Sequence, residues 1–191
     1  MARTLTSSQT IGPFFHPILD PSWSRMVKPE TRGERIIVEG QVIDGDNKPL
    51  TTDGMLELWQ ANAEGRYNHP EDHQERLLDP TFHGFGRCGT DTEGRFRFYT
   101  IKPGAVAGPQ NKLQAPHINV IVFSRGLLQH LYTRIYFPEE PLNRTDYYLN
   151  AAPAERRHTL IAKAAGTREG AAVYQFNIKL QGENETVFFD V

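Results

Sequence analysis

Apolar and polar positions alternate with the period of a β-strand over much of the chain. Arg35 to Ile43 (RIIVEGQVI) is rich in β-branched residues and stops at the turn dipeptide Asp44-Gly45. Met55 to Gln60 (MLELWQ) is a second run. Arg95 to Ile101 (RFRFYTI) sets Phe96 and Phe98 on one face before Lys102-Pro103-Gly104 ends it. Pro116 to Phe123 and Gln129 to Phe137 are joined through Ser124-Arg125-Gly126. Val173 to Leu180 (VYQFNIKL) sets Tyr174, Phe176, Ile178 and Leu180 opposite Val173, Gln175, Asn177 and Lys179, and Glu185 to Asp190 closes the series. One segment reads as helix. Pro153-Ala154-Glu155 opens it, it runs through Ala165, and Gly166 stops it. This pattern predicts a mainly β fold: a β-sandwich of short antiparallel strands with long loops and one late short helix.

Two stretches fall outside the strand pattern. Residues 1 to 34 are rich in Ser, Thr and Pro and carry Phe14, Phe15 and Trp23, so they read as an extended N-terminal arm that docks on something. The sandwich domain then spans 35 to 191. The polar segment 62 to 94, with Gly65, Gly84, Gly86, Gly89 and Gly94, reads as an ordered loop excursion where a site would be built.

Composition narrows the function classes. The net charge of -2, from 21 Lys and Arg against 23 Asp and Glu, gives no electrostatic reason to expect nucleic acid or an anionic membrane. No apolar stretch approaches the roughly 20 residues that span a bilayer. MARTLTSSQT has no apolar core of a secretory signal, and the single Cys88 fits a reducing compartment, so a cytoplasmic protein is expected.

No GxSxG, Walker, GxGxxG, HExxH or CxxC pattern is present. What remains is a scatter of polar and aromatic groups: Tyr67, His69, His73, His83, His117, Asn119 and Arg134. His117 and Asn119 share one strand face. They read either as part of a metal site or as polar groups that hydrogen-bond neighbouring backbone. Tyr67 is a phenol able to bind ferric iron or an amphipathic loop cover. Arg134, on the Tyr132 and Tyr136 face, is a solvated cation or a fork held to receive a carboxylate.

Several motifs then occur together in one order: Leu58-Trp59-Gln60-Ala61-Asn62, Gly65-Arg66-Tyr67, Phe85-Gly86-Arg87, Thr100-Ile101-Lys102-Pro103-Gly104 and Pro116-His117-Ile118. In this the chain resembles the intradiol ring-cleaving dioxygenases, over residues 7 to 191. Ser8-Gln9-Thr10-Ile11-Gly12-Pro13 and the end of the chain, Leu180 to Glu183 with Glu185 to Phe189, are similar to the iron-free alpha chain of its two-chain members. The family's iron chain holds Fe(III) through two tyrosines and two histidines. Carried over, these fall on Tyr67, Val106, His117 and Asn119, so two donors are replaced. The resemblance therefore implies a relic metal site, no metal and no catalytic residue of its own, and Fe(III) in a homologous beta chain. It further implies a large oligomer of alpha-beta pairs acting on 3,4-dihydroxybenzoate and O2 in the beta-ketoadipate route of aromatic catabolism. Thr10, Gly12, Pro13 and Arg134 are the positions it assigns to the partner's substrate pocket. The arm would dock on that partner. Competing expectations are a small-molecule-binding sandwich, an iron enzyme with an unusual ligand set, and a purely structural subunit.

Overall fold

β1 (Arg35–Ile43) sits at the centre of one sheet because its sequence buries both of its faces. Ile36, Val38 and Val42 enter the main core, while Ile37 on the other side packs with Ala171, Val173 and Tyr99. The computed structural model describes residues 10–12, 15–109 and 112–190. In it β4 (Arg95–Ile101) runs antiparallel to β1, and β10 (Ala171–Gln175) and then β11 (Ile178–Lys179) run parallel to it. β9 (Lys163–Arg168) forms the exposed edge beyond β10. The second sheet is antiparallel throughout, in the order β3 (Phe85–Gly89), β2 (Gly54–Trp59), β7 (His117–Ser124), β8 (Leu131–Tyr136). Leu56, Leu58, Ile118, Val120, Val122 and Ile135 of this sheet meet Ile36, Val38, Phe96, Phe98 and Phe176 of the first in one core. Each such side chain contributes about 1.5–3 kcal/mol of burial. A separate pair, β5 (Val106–Ala107) with β6 (Leu113–Gln114), brings Val106 opposite Gln114.

The mainly β sandwich with one short α-helix is the expected architecture, but several elements differ from the sequence reading. The strands are not all antiparallel: strand direction depends on how distant segments connect, and alternation carries no record of it. The run 173–180 splits at Phe176-Asn177. There Phe176 N donates to Glu39 O at 2.8 Å and the Asn177 side chain accepts from Gln41 N at 3.1 Å. The Phe176 carbonyl lies 1.8 Å from where a Cβ on Gly40 would be, so only glycine lets the chains approach. Phe85–Gly89, read as part of a loop, is an edge strand whose glycines weaken its pattern. Glu185 to Asp190 pairs only at Phe189, with Tyr132.

The helix expected through Ala165 is corrected most. Ala154–Leu160 is a 3-10 segment, Ala162 N then donates to Tyr136 O at 2.9 Å, and 163–168 is strand β9. The Glu169-Gly170 turn, with φ of 53° and 79°, folds β9 back on β10, and this pairing overrides the helix propensity of the alanines. The α-helix is α1 (Tyr147–Ala151), capped by the Asp146 side chain, which accepts from Leu149 N.

Candidate functional site

The outer face of the four-stranded sheet carries the candidate site. Register aligns Trp59, Asn119 and Arg134 across β2, β7 and β8, and sets His117 beside Tyr136. Alternation turns Ile118, Val120 and Ile135 inward, so these polar and aromatic groups must face outward.

The loop after β2 delivers Tyr67 to this row. Gln60 is fully buried; its amide donates to Ile101 O at 2.9 Å and its oxygen accepts from Thr100 Oγ1 at 2.8 Å. Asn62 accepts from Glu64 N and Arg66 N and donates to Leu77 O, folding the loop back on itself. Gly65 takes φ of 78° and lies against the Ala105 carbonyl. Asp72 accepts from Tyr67 N at 2.7 Å. The Tyr67 ring then stacks on Trp59, centroids 5.8 Å apart and planes at 16°, and its hydroxyl accepts from Asn119 Nδ2 at 3.3 Å. Burial raises the pKa of this phenol, outweighing the Asn119 hydrogen bond and the Arg134 charge.

His117 is buried, and its Nδ1 donates to Ala115 O at 2.7 Å, which leaves Nε2 without a hydrogen. Burial first, then the charge of Arg134, pushes its pKa down to about 4, so the ring is neutral at ordinary pH. Behind it Asp146 accepts from Ala115 N, Leu149 N and the Tyr136 hydroxyl. That fully buried carboxylate ties the link between β6 and β7 to β8 and α1.

Arg134 donates to Gln114 Oε1 at 2.8 Å and lies 4.1 Å over the Tyr148 ring and 5.9 Å from Phe189. Among the described residues it makes no ion pair. Tyr67, Val106 and Gln114 line a cleft of about 570 Å³ together with Trp59 and His69. The fold thus gathers Tyr67, Val106, His117, Asn119 and Arg134 around one centre. Trp59, Gln114, Asp146 and Tyr148 belong to the same site and were not singled out from sequence. Trp59 alone left a signal there, as a large aromatic on the outward side of an alternating strand.

The donors around this centre do not fit a ferric ion. Val106 has no ligating atom, and Asn119 offers a neutral amide already donating to Tyr67, so Tyr67 and His117 alone remain as donors. His69 and His73 line the cleft, yet among the described residues no three His, Cys, Asp or Glu side chains converge as a metal set.

The arm meets its own chain. Thr10 Oγ1 donates to Ser124 O at 3.2 Å and accepts from Gly126 N at 2.9 Å, at the turn between β7 and β8. Gly12 is exposed with open space around it. Pro13 lies outside the described residues. Further along, Met26 enters the main core.

A dioxygenase family model matches residues 12–182. The protocatechuate 3,4-dioxygenase alpha chain of Burkholderia cepacia is 41% identical, with 97% of each chain covered. The beta chain from the same organism is 40% identical, covering 94% of this chain and 77% of its own length. Among solved structures, the dioxygenase domain of a dioxygenase carbohydrate-binding protein fusion from Streptomyces sp. SirexAA-E matches with a TM-score of 0.64 at 27% identity, covering 96% of this chain and all of that one. With this sandwich and these motifs in place, the chain belongs to the intradiol ring-cleaving dioxygenase family.

Proposed function

We propose that this chain is the iron-free alpha subunit of a two-chain intradiol dioxygenase that cleaves 3,4-dihydroxybenzoate with O2 to 3-carboxy-cis,cis-muconate. The observation that carries the reading is local. Identity to the alpha and beta relatives is nearly equal, 41% against 40%, so the residues at the metal positions decide between them. Val106 and Asn119 leave the centre of this chain without a ferric ligand set.

On this reading Fe(III) belongs to a homologous beta chain, in a closed assembly of alpha-beta pairs in the cytoplasm, and supplies the Lewis acidity for the chemistry. This chain completes the substrate pocket. Thr10, Gly12 and Pro13 form its mouth, where glycine lets backbone approach a planar ring. Arg134 supplies the positive charge. Its guanidinium, which has no carboxylate partner among the described residues, suits an anionic aromatic acid, because its planar fork matches a carboxylate with two parallel hydrogen bonds.

The test is coexpression with the beta chain. The isolated chain is expected to be colourless and iron-free, and the pair red. In the pair, Arg134→Ala should lower turnover by about 10²-fold, as loss of a preorganised charged donor does, with iron content unchanged. If iron falls while activity per iron holds, Arg134 is not a substrate residue. If neither quantity moves, the chain is an architectural subunit.

A further inference from the structure

We propose that Gln114 is a positioning residue that sets substrate specificity: its neutral amide aims the Arg134 guanidinium without cancelling its charge. The inference rests on the reading of Arg134 as the residue that receives the substrate carboxylate.

Two contacts fix the fork. Tyr148 covers one face of the guanidinium at 4.1 Å from the ring centroid, which sets its plane. Direction within that plane is set by Nη1, which donates to Gln114 Oε1 at 2.8 Å. Gln114 is itself held. Its backbone pairs with Val106 in the β5–β6 ribbon, and its Nε2 donates to Ala107 O at 2.8 Å. That second bond decides which end of the amide meets Arg134: the nitrogen is taken, so the oxygen faces the fork.

The amide matters because an acid in its place would form an ion pair with Arg134. Asp146 stands nearby, but it is occupied. The Tyr136 hydroxyl, close enough to feel the charge of Arg134, donates to Asp146 Oδ1 at 3.0 Å, and the backbone N–H groups of Ala115 and Leu149 take up the rest of the carboxylate. Gln114 thus gives the guanidinium an acceptor and leaves its positive charge for a ligand.

The experiment uses the coexpressed pair with the beta chain, without O2. Affinities for 3,4-dihydroxybenzoate and its neutral isostere 3,4-dihydroxybenzamide are read from the visible absorption of the iron-loaded pair. Gln114→Glu should weaken the benzoate about tenfold and leave the benzamide unchanged. Gln114→Leu loses the same Ala107 bond without adding a charge, and should weaken the benzoate only about threefold. An unchanged benzoate affinity in Gln114→Glu overturns the proposal, and so does a loss in Gln114→Leu as large as in Gln114→Glu. If Gln114→Glu does not assemble with the beta chain, Gln114→Leu against wild type decides: no selective loss of benzoate overturns the role. Arg134→Ala, carried alongside, separates the two ideas. If it leaves the preference for benzoate intact, the reading of Arg134 fails and this role with it; if it abolishes the preference while Gln114→Glu keeps it, only the role of Gln114 fails.

Discussion

Asp146→Ala should lower the free energy of unfolding by about 3–5 kcal/mol, because three buried donors lose their acceptor at once. Asp146 is completely buried. Its Oδ1 accepts from Leu149 N at 2.8 Å and from the Tyr136 hydroxyl at 3.0 Å, and its Oδ2 accepts from Ala115 N at 2.8 Å. A helix cap alone is worth about 1 kcal/mol, and each orphaned buried donor costs about 1–3 kcal/mol more. Asp146→Asn keeps the Oδ1 acceptor for Leu149 N and the Tyr136 hydroxyl but sets an Nδ2 donor against the Ala115 N–H. It should lose less stability than alanine while still falling below wild type. Urea unfolding of both variants checks this, and equal losses would mean that the hydrogen bonds are not what the carboxylate contributes. The site feels the change as well. Loosening α1 frees Tyr148 from its place over Arg134, so the isolated domain should also lose order around that guanidinium.

Gly65→Ala should cost about 2–5 kcal/mol and dismantle the Tyr67 side of the cleft. The residue sits at φ of 78°, which costs a residue with a Cβ about 1–2 kcal/mol. The new methyl would also lie 2.0 Å from the Ala105 carbonyl oxygen, a backbone atom that cannot swing aside as a side chain does. Relief requires the loop to lift away from residues 104 and 105, and Tyr67 moves with it. The stack of Tyr67 on Trp59 should then weaken, which near-ultraviolet circular dichroism reports independently of stability. A loss below about 1 kcal/mol with an unchanged aromatic spectrum would show that the loop is not pinned at this glycine. Asp146→Asn serves as the contrast, since it disturbs the far side of the site and should leave the Trp59 signal alone.

How much of this was legible in the chain differs by element. β1, buried on both faces, was readable as a β-branched run. β2, β4, β7 and β8 were readable because each turns one face to the main core, and burial of one face writes itself as alternation. The same logic put His117 and Asn119 together, and Arg134 on the face of Tyr132 and Tyr136. β3 and β9 were not readable. β3 is interrupted by Gly86, which makes room for Met26 and the Trp23 carbonyl, and β9 is exposed on both faces, so no burial pattern marks it. The helix expected at 153–165 failed for a related reason: alanine is compatible with both states, and the Glu169-Gly170 hairpin decided between them.

The sequence by itself determined which residue types stand at the positions of the centre, and so that Val106 brings no ligating atom there and Asn119 a neutral amide. It also determined the alternation that sends those groups outward. Only the tertiary structure decided what each of these groups touches. The reach of Arg134 to Gln114, the turn of Asn119 onto Tyr67 and the clamp of Asp146 join segments far apart in the chain, and each depends on register and direction between elements. Local pattern follows from which side of a strand is buried. Contacts of that kind follow from how strands are paired, and pairing is not written in any one of them.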